Sequence, residues 1–295
     1  MYNVPGLGSD GMATQGLFVG LVTLDLIYRT AQLPDLNQKL VASDYLVAAG
    51  GPATNAAVAF SHLGNSATVL GVVGSHPITH LILTDLQRCG VTVCDLAPTQ
   101  LDPPPVSSIL VTETTGERAV ISINAVKTQA ATDTLPDNGL ESIGVILIDG
   151  HQIAVGRAIA EPAKARGIPI VLDGGSWKPG LETILPWVDY AICSANFQPP
   201  GCHSEADVFC YLANLGIPQI AVTHGEQPIQ YRDRATSGTI AVPSIPAVDT
   251  LGAGDIFHGA FCHYLLQTSF VEALTQAAEV AAHSCQFFGT RAWRE

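Results

Sequence analysis

The sequence predicts an α/β protein: a three-layer α/β/α sandwich with a mostly parallel sheet and a small antiparallel β lid. Three observations predict it. Short apolar runs bounded by glycine or proline alternate with stretches of helical periodicity along nearly the whole chain. Buried strands that are each followed by a helix argue for a parallel sheet covered on both faces. The rhythm breaks twice, at 24–48 and 107–124, where residues alternate with the period of two that half-exposed strands show. Finally, 47% of the 295 residues are hydrophobic, enough to bury one large core.

Taken in order, residues 1–16 read as a polar, glycine-rich, flexible tail, and 17–295 as the folded domain, with lid strands inserted at about 26–48 and 106–124. A strand is expected over 17–22, with Asp25 just past its C-terminal end. Pro52 suits the first turn of a helix over 52–63, which Gly64 can end. A strand over 68–73 and a helix over 78–89 follow. The stiff run Pro103-Pro104-Pro105 leads into two alternating strands, 108–112 and 119–123, joined by Thr114-Thr115-Gly116-Glu117 in a hairpin. These inserted strands either cover the main sheet as a flap or extend its edge. Beyond them the pattern gives a strand at 144–148, a helix at 153–166, strands at 168–172 and 188–192, a helix at 205–215 and a strand at 219–223. Helices starting near Ala253 and Val271 close the chain.

Composition excludes several function classes. Thirteen Lys and Arg stand against 26 Asp and Glu, a formal net charge of −13. Such a chain is unsuited to non-specific binding of nucleic acid or anionic membranes. Its few cations become informative, because an anionic substrate needs some of them. The seven cysteines are odd in number and show no Cys-x-x-Cys spacing, as in reduced thiols of a cytoplasmic protein. No apolar run has the length of a membrane span, and the N-terminus lacks the basic start and apolar core of a secretory signal.

The most telling stretch is Val248-Asp249-Thr250-Leu251-Gly252-Ala253-Gly254-Asp255, with an apolar helical pattern directly after it. Gly252 and Gly254 permit a tight turn. The first N–H groups of the following helix lack intrahelical partners and, with the helix dipole, favour an anion. Asp255 sits at that mouth. One reading makes it a helix cap; the other makes it a base that takes a proton from a hydroxyl attacking a phosphoryl group. Ala253, Gly254 and Asp255 would then supply N–H groups to the transferring oxygens. A second constellation lies upstream. Asp25 follows a strand, Gly50 and Gly51 allow close backbone approach, and Asn55 lies near the start of a helix whose other residues are mostly Ala and Val. A carboxylate acceptor and an amide that both donates and accepts suit a polyol, although each residue is also a common turn or cap former.

Together these strings resemble the ribokinase-like (PfkB) carbohydrate kinases, over about 17–289. In wording, Gly20-Leu21-Val22-Thr23-Leu24-Asp25, Gly50-Gly51-Pro52-Ala53-Thr54-Asn55 and the Asp149-Gly150-His151 stretch look closest to ketohexokinase-type members. The resemblance implies an ATP-dependent sugar kinase in which Asp25, Gly50, Gly51 and Asn55 hold the sugar and Asp255 is the general base, acting on a primary hydroxyl. It implies ATP and Mg²⁺ as cofactors. It also implies nucleotide-side roles for Lys178, Asn196, Thr223, Gly225 and Asp249, together with Gly252 and Gly254. Arg118, after the lid turn, resembles a lid arginine that approaches the donor phosphates or the sugar. Lys178 and Arg118 are otherwise ordinary solvated charges. Two departures fall on the nucleotide side. Pro199 stands where many members have the Glu of an Asn-x-x-Glu motif, so no metal ligands are assigned. Gln227-Pro228 replace a glycine expected after Thr223-His224-Gly225. A nucleoside kinase of the same fold, or an inactive regulator that binds sugar or nucleotide, remain alternatives. The lid strands offer edges through which two copies could pair as a homodimer. Gly6-x-Gly8-x-x-Gly11 has no strand before it and is not a dinucleotide site. No P-loop or protein-kinase motif is present. His76, His80, His151, His258 and His263 lack metal-ligand spacing and read as surface or packing residues.

Overall fold

The computed structural model describes residues 14–125, 127–132, 135 and 139–294. Most of the expected tail lies outside the described residues. Its inner boundary moves, because β1 (Gln15–Val19) already contains Gln15 and Gly16. The remaining strands are β2 (Thr23–Thr30), β3 (Asp44–Gly50), β4 (Ser66–Gly71), β5 (Val91–Asp95), β6 (Val106–Thr112), β7 (Arg118–Ile121), β8 (Ile143–Ile148), β9 (Ile170–Gly174), β10 (Tyr190–Ser194), β11 (Gln219–His224), β12 (Gln227–Asp233) and β13 (Thr236–Ile240). The helices are α1 (Pro52–His62), α2 (Thr79–Arg88), α3 (Ile153–Ala165), α4 (Glu205–Asn214), α5 (Ala253–Leu265) and α6 (Phe270–Ser284).

Nine strands form the main sheet in the order β13-β12-β11-β10-β9-β8-β1-β4-β5. Strands β5 to β11 of that order run parallel, and the β12–β13 hairpin adds an antiparallel edge. This hairpin and β5 escape the periodicity reading because their residues are only partly buried and mix polar with apolar types. Side chains alternate between two cores, as the pleat requires. Phe18, Val145, Leu147 and Val171 face α1, α2, α5 and α6. Val19, Ile146, Ile148, Ile170 and Leu172 face α3 and α4. With helices on both faces, ligands are left the carboxyl ends of the parallel strands.

The second sheet has the order β3-β2-β6-β7. Its outer pairs are antiparallel, while the central pair β2–β6 is parallel because the chain visits β4 and β5 of the main sheet before it returns. The inserted strands therefore make a separate flap rather than an extension of the main edge. Asp25 is also relocated. The apolar run expected as one strand over 17–22 ends at Val19, and Asp25 lies within β2, opposite Ala48 and Ser107. Ile27, Ile109 and Val111 on the inner lid face pack over Leu46, Leu251 and Phe288. Thus the lid rests on the turn that opens α5. Among the described residues no helix is long and apolar enough to cross a membrane.

Candidate active site

Gly252 caps α5 in the left-handed region (φ 72°), and a Cβ there would lie 2.8 Å from Thr290 Cγ2. Only glycine fits the turn without strain. The Ala253 N–H turns back to the Thr250 carbonyl (3.4 Å) and the Ile256 N–H to the Gly252 carbonyl (2.8 Å). Among the described residues nothing accepts from the N–H groups of Gly254 and Asp255. These two are the open donors, not the set of three expected from sequence. Gly254 is exposed, and a Cβ on it would meet nothing within 4 Å. Space for an anion therefore lies in front of the helix N-terminus.

Asp255 is partly buried in the first turn of α5. Burial first, and the Asp173 charge second, push its carboxyl up to about 7, while the Asn55 hydrogen bond, His258 and Arg118 oppose them. A carboxylate in that range is a competent acceptor for a hydroxyl proton near neutral pH. Asn55 Nδ2 donates to Asp255 Oδ2 (2.9 Å). The Asn55 amide cannot turn over, because its Oδ1 accepts from Arg291 Nη1 (3.1 Å). Arg291 is buried and also donates to the Ala49 carbonyl (2.6 Å) and to Asp85 Oδ2 (3.0 Å). Asp85 in turn accepts from the Ala49 N–H (2.9 Å). The residue before Gly50 is thus held at both of its backbone groups.

Asp25 is 6% exposed. Its Oδ1 accepts from Thr23 Oγ1 (2.7 Å), and burial raises its carboxyl against the hydrogen bonds from Thr23 and Ser107 and the charge of Arg291. A Cβ on Gly50 would stand 1.9 Å from the Asp25 carboxylate, so glycine makes room for the acid. Gly51 has φ 101° and lies against the Leu21 carbonyl. Asp149, at the end of β8, accepts the N–H groups of Leu21 (2.9 Å) and Ala53 (3.2 Å), fixing the start of α1 against the end of β1. Burial works against its charge, yet His151, Lys178 and these donors hold it at about 2.

The expected nucleotide-side residues form a looser group. Ser194 and Thr223 are paired across β10 and β11, and the Ala195 N–H bonds to the Thr223 carbonyl (3.0 Å). Asn196 is thereby brought beside Thr223 and Gly225, exposed, with its N–H on Ser194 Oγ (3.1 Å). Lys178 Nζ donates to the Ser176 carbonyl (3.2 Å). Arg118 reaches neither a sugar-side residue nor Lys178; its Nη1 donates to the carbonyl (3.0 Å) and hydroxyl (2.8 Å) of Thr250. Asp249 is buried, and its two oxygens accept the N–H groups of Leu251 and Gly289 (2.8 Å each). It braces the turn rather than facing open space.

Residues 14–294 match the family described as pfkB family carbohydrate kinase. The chain belongs to that family. A ribokinase from Lactococcus lactis is 26% identical over 283 residues, covering 92% of this chain and 91% of the relative. A deoxyribokinase from Salmonella typhi is 26% identical over 294 residues, covering 92% and 93%. The structure of a ribokinase from Arabidopsis thaliana complexed with ribose and ATP superposes with a TM-score of 0.75 at 21% identity, over 95% of this chain and 94% of that one. The fold is thus ribokinase-like, and the protein is a carbohydrate kinase. These relatives carry pentose-kinase names.

The kinase's own donors fit a nucleotide-borne metal. Among the described residues no three His, Cys, Asp or Glu converge on one point. Mg²⁺ keeps several waters and leans on phosphate oxygens, so Asn196 and the Gly254 face would need only to border it, and bound there it would neutralise charge on the phosphates. Sequence reasoning missed the part that four residues play in the site: Arg291, Asp85, Asp173 and His258. Arg291 carried one signal, as a rare cation beside Gly289-Thr290. His258, read as a surface or packing residue, is 6% exposed and lies one turn below Asp255.

Proposed function

We propose that this kinase phosphorylates the primary hydroxyl of a small free sugar, a pentose of the ribose type foremost. The observation that carries the reading is the Asp25–Asn55–Asp255 row. An acceptor in the lid strand β2, an amide locked with its N–H₂ toward Asp255, and a base of raised pKa are linked through Arg291, which bonds Asn55 and whose charge acts on Asp25. Asp25 accepts from sugar hydroxyls, and Asn55 donates its remaining N–H. The target hydroxyl gives its proton to Asp255 as its oxygen bonds to the γ-phosphorus. The bond from that phosphorus to the β,γ-bridging oxygen breaks, and ADP leaves. The open N–H groups of Gly254 and Asp255 hold the transferring oxygens. Arg118, on the carbonyl two residues before Gly252, couples lid position to this turn. Lys178, Asn196, Thr223 and Gly225 border the nucleotide. The names of the Lactococcus and Salmonella relatives favour a pentose over a hexose or a nucleoside. An ADP-release screen with Mg²⁺ across aldopentoses, deoxyribose, ketoses, hexoses and nucleosides tests this. The highest kcat/KM is expected with an aldopentose; a nucleoside or ketohexose preferred tenfold overturns the substrate assignment. Sugar and nucleotide binding without turnover would instead identify a regulator.

The same reading extends to assembly and location. Val47, Leu26, Ser108 and Ile121 form one cross-strand row on the outer lid face, and Tyr45, Tyr28 and Leu110 the next. Tyr45 is 69% and Ile121 77% exposed. A second copy pairing through this apolar face would cover it. Light scattering reads a dimer, and one that persists in Tyr45→Glu/Ile121→Glu argues for another interface. The seven free cysteines suit a reducing cytoplasm.

A further inference from the structure

His258 points inward from α5 to a place the phosphoryl-transfer scheme does not use. Its Nδ1 lies 2.7 Å from the Gly254 carbonyl oxygen, and its Nε2 lies 3.2 Å from the Ile192 carbonyl oxygen. Both ring nitrogens therefore face acceptors. A neutral imidazole has one N–H and one lone pair, so it would set that lone pair against a buried carbonyl. The imidazolium, with two N–H groups, satisfies both. A buried cation requires a counter-charge, and one is present. Asp173, at the C-terminal end of β9, is 4% exposed and places Oδ2 3.6 Å from His258 Nδ1. Among the described residues that oxygen has no hydrogen-bond partner, while Oδ1 accepts the Gly175 N–H (3.1 Å). A buried carboxylate oxygen left so bare is costly unless a charge lies against it.

We propose that Asp173 and His258 form a buried carboxylate–imidazolium pair whose work is to position the α5 turn and bias Asp255 from beneath. The imidazolium grips the Gly254 carbonyl, fixing the peptide next to the base. Its positive charge adds to the helix N-terminus at the place where phosphate oxygens are to be held. Asp173 keeps that cation charged and sets a second negative charge behind Asp255. The groups facing this cluster are few. Asp255, Cys262 and His258 come from α5, Cys193 from β10, Asn55 from α1 and Arg118 from the lid. The Cys193 and Cys262 thiols are pushed far up by burial and then by Asp173, so they stay neutral. Asp173 and His258 are positioning residues, since neither touches a substrate.

The inference rests on Asp255 being the base, and its test separates the two claims. Nitrogen-15 NMR of the His258 ring in the whole protein, at pH 8 and without substrates, reads the pair independently of turnover. Two protonated ring nitrogens are expected; a neutral tautomer overturns the pair. The pH profile of kcat/KM then reads the bias. Removing the cation in His258→Gln should move the acid limb up by about one pH unit, because Asp173 is left unopposed behind Asp255. Asp173→Asn removes the negative charge and with it what keeps His258 charged, so its acid limb should stay near that of the wild type. The double variant should match Asp173→Asn. Should Asp173→Asn fold poorly, His258→Gln, which leaves a neutral donor facing the Gly254 carbonyl, carries the test. Lower kcat with an unmoved acid limb in every folded variant would reduce the pair to a structural element. If Asp255→Asn turned over like wild type while the imidazolium was observed, the base assignment would fail and the pair would stand.

Discussion

Asp25, Asn55 and Asp255 are each fixed by partners that are themselves buried and bonded, from Thr23 and Ser107 to Arg291 and Asp85. Among the residues proposed to border the nucleotide, Lys178 and Asn196 make short-range bonds within their own loops, Thr223 is held by the β10–β11 pairing, and a Cβ on Gly225 would meet open space. On the proposed assignment the acceptor side is preorganised, whereas the donor side presents half-buried and exposed groups that a nucleotide can arrange. This division fits a kinase that must align a small neutral sugar by hydrogen bonds alone, while a polyanionic donor brings its own charge and its own metal. Substitutions on the two sides should accordingly differ in kind.

The largest effect is expected at the base. Asp255→Asn should lower kcat by about two to four orders of magnitude. Its stability should move the other way. The folded carboxyl of Asp255 lies above its ordinary 3.8, at about 7, so its ionisation costs the native state stability as pH rises between those values. The variant, measured by thermal melting, should therefore gain on wild type from pH 4 toward pH 8 and show no further relative gain above that. A variant less stable than wild type at pH 8 would break the account of a carboxylate held under strain. The rate of the wild type should fall as pH drops below about 7, because the base must be ionised to accept a proton.

Next comes the clamp behind Asn55. Arg291→Ala strands Asp85 and frees the Asn55 amide, and should cost on the order of 3 kcal/mol of stability in urea melts. Arg291→Lys keeps the charge but not the planar fork, and should restore stability more than it restores the KM for sugar. Equal recovery of both would show that the charge, not the bonding geometry, is what the site needs. Gly50→Ala should be smaller in scope but sharper in kind. Its Cβ would collide with the Asp25 carboxylate, so the KM for sugar should rise by about tenfold, equivalent to ~1.4 kcal/mol, with the KM for ATP unmoved.

The smallest effects belong to the donor side. Lys178→Ala should raise the KM for ATP severalfold; because it also removes a charge that keeps the buried Asp149 ionised, a modest stability loss of about 1 kcal/mol is expected with it. A large loss of stability there would erase the contrast between the two sides.

What could be read in the chain follows the reach of local physics. The turn of residues 249–255 is legible because its glycines, its carboxylate and its helix are contiguous. The parallel sheet is legible because strands buried on both faces are apolar throughout. Asp25 and Asn55 were picked out by residue type, yet the strand carrying Asp25 was misplaced: the apolar run continues past Val19 without marking where the chain leaves one sheet for the other. The weakly patterned β12–β13 edge, half open to water, left too faint a period to detect.

By itself the sequence determined the layer order of the fold, the phosphate-friendly helix start and the candidate base, since each is set by backbone preferences and periodicity over a few neighbouring residues. Only the tertiary structure decided what surrounds that base. Asn55 meets Asp255 across 200 positions, Arg291 meets Asn55 across 236, and Arg291 meets Asp85 across 206. His258 and Asp173 likewise meet only where α5 crosses the end of β9. Burial and neighbouring charge, which turn Asp255 from a common helix-cap residue into a base near neutrality, are properties of that assembled environment. No spacing along the chain encodes them, because desolvation and Coulomb interaction depend on distance in space.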